Sequence, residues 1–275
     1  MELIGGGTRE EMMEEFATLT LAEPAPGVLE VTLNRPAASN AINTAMGSEL
    51  GRLFDRLNAE PARAHAVILT GAGSRSFCAG ADLKERLDMS DDAWQAQHRV
   101  VERMVRAILL APMPVIAAVN GAAYGGGCEL ALLADFAYAA ENARFALTEV
   151  TLGIMPGAGG TQTLPRSVGS RRAKEIMLTG CPFSAAEAAA WGLVNRVCPP
   201  DSLLAEARAT ASAIAANAPL STRQIKQAVN VGIAMDLPSA LMLEVEAYNR
   251  LVPTADRREG VRAFNEKRRA LFTGR

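Results

Sequence analysis

NGAAYGGGCELALLADFAYAAENARFALTEVTLGIMPGAGGTQ, residues 120–162, is the stretch whose reading decides the fold. A glycine run, Gly125-Gly126-Gly127, closes a strongly apolar segment and leads straight into Glu129. Further on, Glu149 stands alone between apolar neighbours, ahead of a second glycine cluster at residues 157–160. A glycine loop that runs into a helix presents backbone N–H groups with no intrahelical partner, and the helix dipole adds partial positive charge there. Such a place suits an oxyanion. Two carboxyl groups in apolar surroundings suit acid/base chemistry, because desolvation raises a carboxyl pKa toward working pH.

Working outward, the same pattern occurs upstream. Ala66-Val67-Ile68-Leu69-Thr70 is a continuous apolar run, as expected for a strand covered on both faces, and the loop GAGSRSFCAGAD follows it. Val115-Ile116-Ala117-Ala118-Val119 repeats that run ahead of YGGGCEL. The two loops thus hold equivalent places in a repeating strand-strand-helix unit, and can converge so that the amides of Ala81 and Gly126 meet one carbonyl oxygen. One such donor contributes about a hundred- to a thousand-fold in rate. Each feature alone has a plainer reading: glycines serve tight turns, Glu129 fits a helix first turn, and Glu149 fits a surface. The pairing of both acids with glycine loops is what carries information. Neither loop is a G-x-x-x-x-G-K-[ST] phosphate loop or a dinucleotide fingerprint, and His65 and His98 lie far from both in sequence, with no G-x-S-x-G elbow near them.

Earlier still, residues 18–21 and 28–33 flank a Pro24-Ala25-Pro26-Gly27 turn, and Leu29, Val31 and Leu33 alternate with Glu30 and Thr32. That pattern predicts a half-buried strand pair. Asn43 is placed to cap a helix through Met46, Leu50, Leu53, Phe54 and Leu57. Helical spacing returns at Trp94, Val101, Met104, Val105, Ile108 and Leu109, and Pro112 and Pro114 end it. Beyond a short apolar segment at 194–198 the chain reads as helical, with Asp201 capping one helix, Pro219 starting a second and a third running from about Pro238 to Leu251. A boundary is therefore expected near residue 200, between an α/β core at 16–199 and a helical C-terminal segment at 200–275.

With 275 residues, 49% apolar and 21% charged, the chain can bury a full core and has an ordinary globular balance. A net charge of -2 gives no basic footprint for nucleic acid or an anionic membrane. Four scattered cysteines form no CxxC pair, so neither zinc nor a disulfide framework is expected, and a reducing, cytoplasmic setting fits. Residues 1–15, acidic and without an apolar h-region, read as a short disordered tail. The uncharged stretch at 107–128 is broken by prolines and glycines and reads as a buried strand rather than a membrane span.

Taken together, NRPAASNAI at 34–42, SFCAGADLKE at 76–85, NGAAYGGGCELALLAD at 120–135, TEVTLGIMPGAGGTQTLPR at 148–166 and DRREGVRAFNEKR at 256–268 resemble the crotonase (enoyl-CoA hydratase/isomerase) superfamily. The resemblance implies a spiral of strand-strand-helix units with a helical C-terminal domain that mediates trimers, often paired into hexamers. It also implies oxyanion-hole amides at Ala81 and Gly126 and hydratase acids at Glu129 and Glu149. In that mechanism the amides hold the thioester oxygen of a 2-enoyl-CoA, Glu129 helps to deprotonate a water attacking C3, and Glu149 protonates C2. Coenzyme A is part of the substrate, so no separate cofactor is expected. Lys84, Phe264 and Lys267 are candidate contacts for it, the last two from a neighbouring subunit. The ADLKER segment and its companions resemble the methylglutaconyl-CoA hydratase branch most, although ordinary short-chain hydratases share much of them. Residues 87–106 are expected in the pocket wall. A 3,2-enoyl-CoA isomerase is the nearest alternative. An RNA-binding protein of the same fold is another, weakened by acids between Arg52, Arg56 and Arg63.

Overall fold

The computed structural model describes residues 16–275, and the tail expected at 1–15 lies outside them. The described chain opens with the antiparallel pair β1 (Leu19–Ala25) and β2 (Val28–Leu33). Helix α1 (Thr44–Ala59) follows, its Asn43 side chain accepting from the Met46 N–H as the capping pattern predicts. Three strand-strand-helix units come next. The first is β3 (Ala66–Gly71), β4 (Ser76–Cys78), α2 (Leu83–Arg86) and α3 (Asp91–Leu109). The second is β5 (Val115–Val119), β6 (Ala122–Tyr124) and α4 (Gly126–Leu133). The third is β7 (Phe136–Ala140), β8 (Arg144–Ala146), a 3-10 turn at Glu149–Leu152 and α5 (Gly160–Val168). Then α6 (Ser170–Thr179), β9 (Phe183–Ser184), α7 (Ala185–Ala190) and β10 (Arg196–Cys198) lead to the C-terminal helices α8 (Leu203–Ala215), α9 (Pro219–Gly232), α10 (Leu237–Leu251) and α11 (Ala255–Asn265).

First strands of the units collect in one sheet, ordered β1-β2-β3-β5-β7-β10, and second strands in another, ordered β4-β6-β8-β9. The apolar runs are explained by what covers the larger sheet. Val67 and Leu69, with Val115, Ala117 and Val119, face a core shared with α1 and α3. Ile68, Ile116 and Ala118 face Leu203, Ala207 and Ala211 of α8. With helices on both faces, strands lose the alternation of a one-sided sheet.

Two expectations need correction. β2 is buried on both faces, because Arg208 of α8 reaches across it and holds the Glu30 carboxylate in a fork at 2.7 and 2.8 Å. Its period of two reflects a buried Glu30 carboxylate paired with a partly exposed Arg208 rather than a face open to solvent. Asp201 does not cap α8, since Ser202 takes the N-cap place and makes no side-chain cap bond. The helix after residue 200, α8, packs on the larger sheet. Beyond α8, α9 and α10 pack on each other. Polar tethers join α9 to the segments that enter the strands: Lys226 Nζ bonds to Met113 O at 2.9 Å and Asp135 Oδ2 at 2.7 Å, and Arg223 bonds to Pro61 O at 2.6 Å.

Candidate active site

Loops leaving the carboxyl ends of β4, β6 and β8 converge on a cavity of about 560 Å³. The first is braced by residues 34–42. Asn40, fully buried with φ 55°, donates to Ala72 O and Ser76 O and accepts from the Arg35 N–H. The Arg35 guanidinium in turn bonds to Ala41 O at 2.6 Å and pairs with Asp82 at 2.9 Å. Ile42 then forms a bridge beside Ala81, its N–H donating to Gly80 O at 2.7 Å and its carbonyl accepting from the Asp82 N–H at 3.0 Å. The segment is thus pinned on both sides of the Ala81 amide.

The second loop is brought against the first by glycines. Gly80 lies at φ +91°, and a Cβ there would stand 2.7 Å from Tyr124 O. At Gly127 a Cβ would stand 2.0 Å from Cys78 O, so only glycine lets α4 begin this close to β4. The Gly126 Cβ position is 3.8 Å from the Ala81 nitrogen. Among the described residues neither the Ala81 nor the Gly126 N–H donates to a protein acceptor, and both residues line the cavity. Two unspent donors side by side form an anion-binding nest.

Both glutamates are there too. Glu129, 2% exposed on the first turn of α4, has its Oε1 held at 2.8 Å by the amides of Ala158 and Gly160. Burial pushes its pKa up to about 7; those amides oppose the rise and the nearby Glu149 adds to it. Glu149, 8% exposed on the 3-10 turn, is also raised by burial, and its Oε2 is buried without a hydrogen-bond partner. An orphaned carboxyl oxygen at a cavity wall is a ready site for a proton or a bound water.

Other sequence candidates fall differently. Lys84 is exposed between Leu83 and Arg86, both of which line the cavity while Lys84 does not. Phe264, 84% exposed near the end of α11, and Lys267, at φ 54° just beyond it, are not brought to the cavity within one chain. The expected wall at 87–106 is present as Trp94, Gln95, His98 and Val101 of α3. Sequence reading missed Arg86 as a wall residue, since it lies just ahead of the expected 87–106 segment.

Repeated strand-strand-helix units, with paired loops at the carboxyl ends of the second strands and a helical C-terminal segment, define a crotonase fold. The chain belongs to the enoyl-CoA hydratase/isomerase family, whose model matches residues 23–275. It is 46% identical to the putative enoyl-CoA hydratase/isomerase YngF of Bacillus subtilis, over 89% of this chain and 94% of that one. It is 42% identical to the short-chain-enoyl-CoA hydratase of Clostridium acetobutylicum, over 88% of this chain and 92% of the relative. The crystal structure of an enoyl-CoA hydratase from Bacillus anthracis superposes with a TM-score of 0.92 at 43% identity, covering 94% of this chain and 100% of that one.

Proposed function

We propose that the protein adds water across the 2,3 double bond of a 2-enoyl-CoA thioester to give a 3-hydroxyacyl-CoA. The observation that carries this reading is two buried acids in the same apolar cavity as two unengaged amides. The thioester oxygen sits between the Ala81 and Gly126 N–H groups, where enolate charge develops. Glu129, with its pKa near neutrality, is ionised enough at pH 7 to take a proton from water as the oxygen bonds to C3. Glu149 enters protonated, as its unpartnered Oε2 favours, and delivers a proton to C2. The proton left on Glu129 then restores Glu149 by exchange with water, and the sum is one water consumed. Short-chain hydratases among the relatives support the reaction class.

The exposed apolar side chains of α9 and α10, among them Ile225, Val229, Met242 and Val245, support assembly into a trimer or hexamer. In such an assembly Phe264 and Lys267 are available to a neighbour's coenzyme A. The test of the reaction is the decay of enoyl-thioester absorbance with crotonyl-CoA. Glu129→Gln and Glu149→Gln should each lower kcat by about a hundred-fold or more. Near-normal hydration by either variant would remove the proposed roles, and accumulation of a 2-enoyl product from a 3-enoyl-CoA without hydration would favour the isomerase.

A further inference from the structure

His98 and the glycine cluster at 157–160, distant in sequence, meet in the cavity wall. The chain ahead of α5 that clamps Glu129 is lightly built. Among the described residues, 155–158 make no backbone–backbone hydrogen bond, and the Ala158 N–H is spent on Glu129 itself. Only from Gly159 onward do bonds from Gln162 and Thr163 tie the chain into the helix. Pro156 and Ala158 are buried, whereas Gly157 between them is exposed and has no side chain to anchor it.

His98 stands over that glycine. A Cβ at Gly157 would lie 2.9 Å from His98 Cε1, and 3.6 and 3.8 Å from Nδ1 and Nε2, so the Cε1 edge of the ring points at the Gly157 backbone. The ring is aimed by Glu102, one helical turn on, whose Oε1 lies 3.5 Å from Nε2. The turn of α3 beneath it is fixed by buried Gln97. Its amide nitrogen donates to Glu85 Oε2 at 2.7 Å and Thr44 Oγ1 at 2.9 Å, and its oxygen accepts from Arg86 Nε at 2.6 Å. A firmly seated ring thus meets a slack peptide.

We infer that His98 is a positioning residue for Glu129: its ring, seated on Gly157, holds the Gly157–Ala158 peptide whose N–H clamps the carboxylate. The inference deepens the hydratase reading, and rests on it only for what the clamped carboxylate does to water. Amides that meet a carboxylate favour its ionised form, so slack in this peptide lets Glu129 keep its proton to higher pH than the present value of about 7. The other ionisable groups around Glu129 are Glu149 on the 3-10 turn, Cys128 of α4 and, in the wall, Arg86 of α2 and His98 with Glu102 behind it. Substituting His98 leaves the others in place.

The test is an NMR titration of the glutamate carboxyl carbons in the full-length, substrate-free protein, with Glu129→Gln identifying the signal. In His98→Ala, Glu129 should titrate about one pH unit higher than in the wild type. His98→Gln, uncharged but of similar reach, should restore most of the difference. Gly157→Ala, which sets a methyl against the ring, should raise the titration in the wild type and not in His98→Ala; it also reports the contact if His98→Ala does not fold. The value of kcat/KM for crotonyl-CoA should fall about fivefold in His98→Ala at pH 7 and approach the wild type by about pH 9. An unmoved Glu129 titration in His98→Ala, no recovery in His98→Gln, equal effects of Gly157→Ala in both backgrounds, or a hydration loss of the same size at both pH values overturns the inference. A moved titration in a protein that does not hydrate crotonyl-CoA would instead sink the hydratase reading and leave the positioning role standing.

Discussion

Glutamine at position 129 separates what the buried acid does for the reaction from what it costs the fold. The carboxyl pKa is about 7 in the folded protein against an ordinary 4.5. A folded-state pKa above the unfolded value means the native protein binds that proton more tightly than the unfolded chain does. Stability linked to Glu129 is therefore fully present below pH 4.5 and is lost as the pH rises through about 7. At ~1.4 kcal/mol for each tenfold, the gap amounts to about 3 kcal/mol at alkaline pH. Glu129→Gln imitates the protonated acid, since its amide oxygen can still accept from Ala158 and Gly160. Urea unfolding at one protein concentration, from pH 4.5 to 8.5, should show variant and wild type converging in acid. The variant should be the more stable by about 3 kcal/mol above pH 8 while its hydration activity is lost. A difference that does not change with pH, or a variant less stable at pH 8, would refute the reasoning.

Three further outcomes are expected. Gly127→Ala drives a methyl to 2.0 Å from Cys78 O and should cost ~3 kcal/mol or prevent folding; a urea midpoint near the wild type would contradict the close approach. Asn40→Ala strips three hydrogen bonds from the brace under Ala81 and should cost about 2–3 kcal/mol, with kcat falling more than KM rises. Asn40→Gly, which accepts the positive φ, should recover only the smaller backbone part. In a thiol titration of the native protein, exposed Cys181 should react fast. Cys78, pushed up to about 12 by burial, should react only on unfolding, as should buried Cys128 and Cys198.

The acids and amides of the site were legible because each lies in a local pattern: a glycine loop fixes Ala81 and Gly126 relative to a following helix, and a lone carboxylate among apolar residues shows itself. Arg86 was not, because what makes it a wall residue is the fold-back of α3 against α2, where its guanidinium meets Trp94 and Gln97. No short-range period records that packing. Glu30 shows the converse failure. Its alternation with Leu29 and Val31 was real, yet the cause was Arg208, 178 positions away in the chain. Helix α1 and the buried runs of β3 and β5 followed from period and capping alone, since there local preference and tertiary packing agree.

The tethers of α9 fall on Pro61, Met113 and Asp135, each just ahead of a strand, whereas the loops that form the cavity leave the strands of the smaller sheet at their far ends. Each strand-strand-helix unit thus has one rim, ahead of its first strand, committed to attachment and another, beyond its second strand, committed to the cavity. For anyone building libraries on this chain, the two rims are separable design spaces. Wall positions such as Leu83, Leu152, Ile154 and Met155 can be diversified for new acyl groups, while substitutions around Lys226 tune how firmly the helical segment is moored.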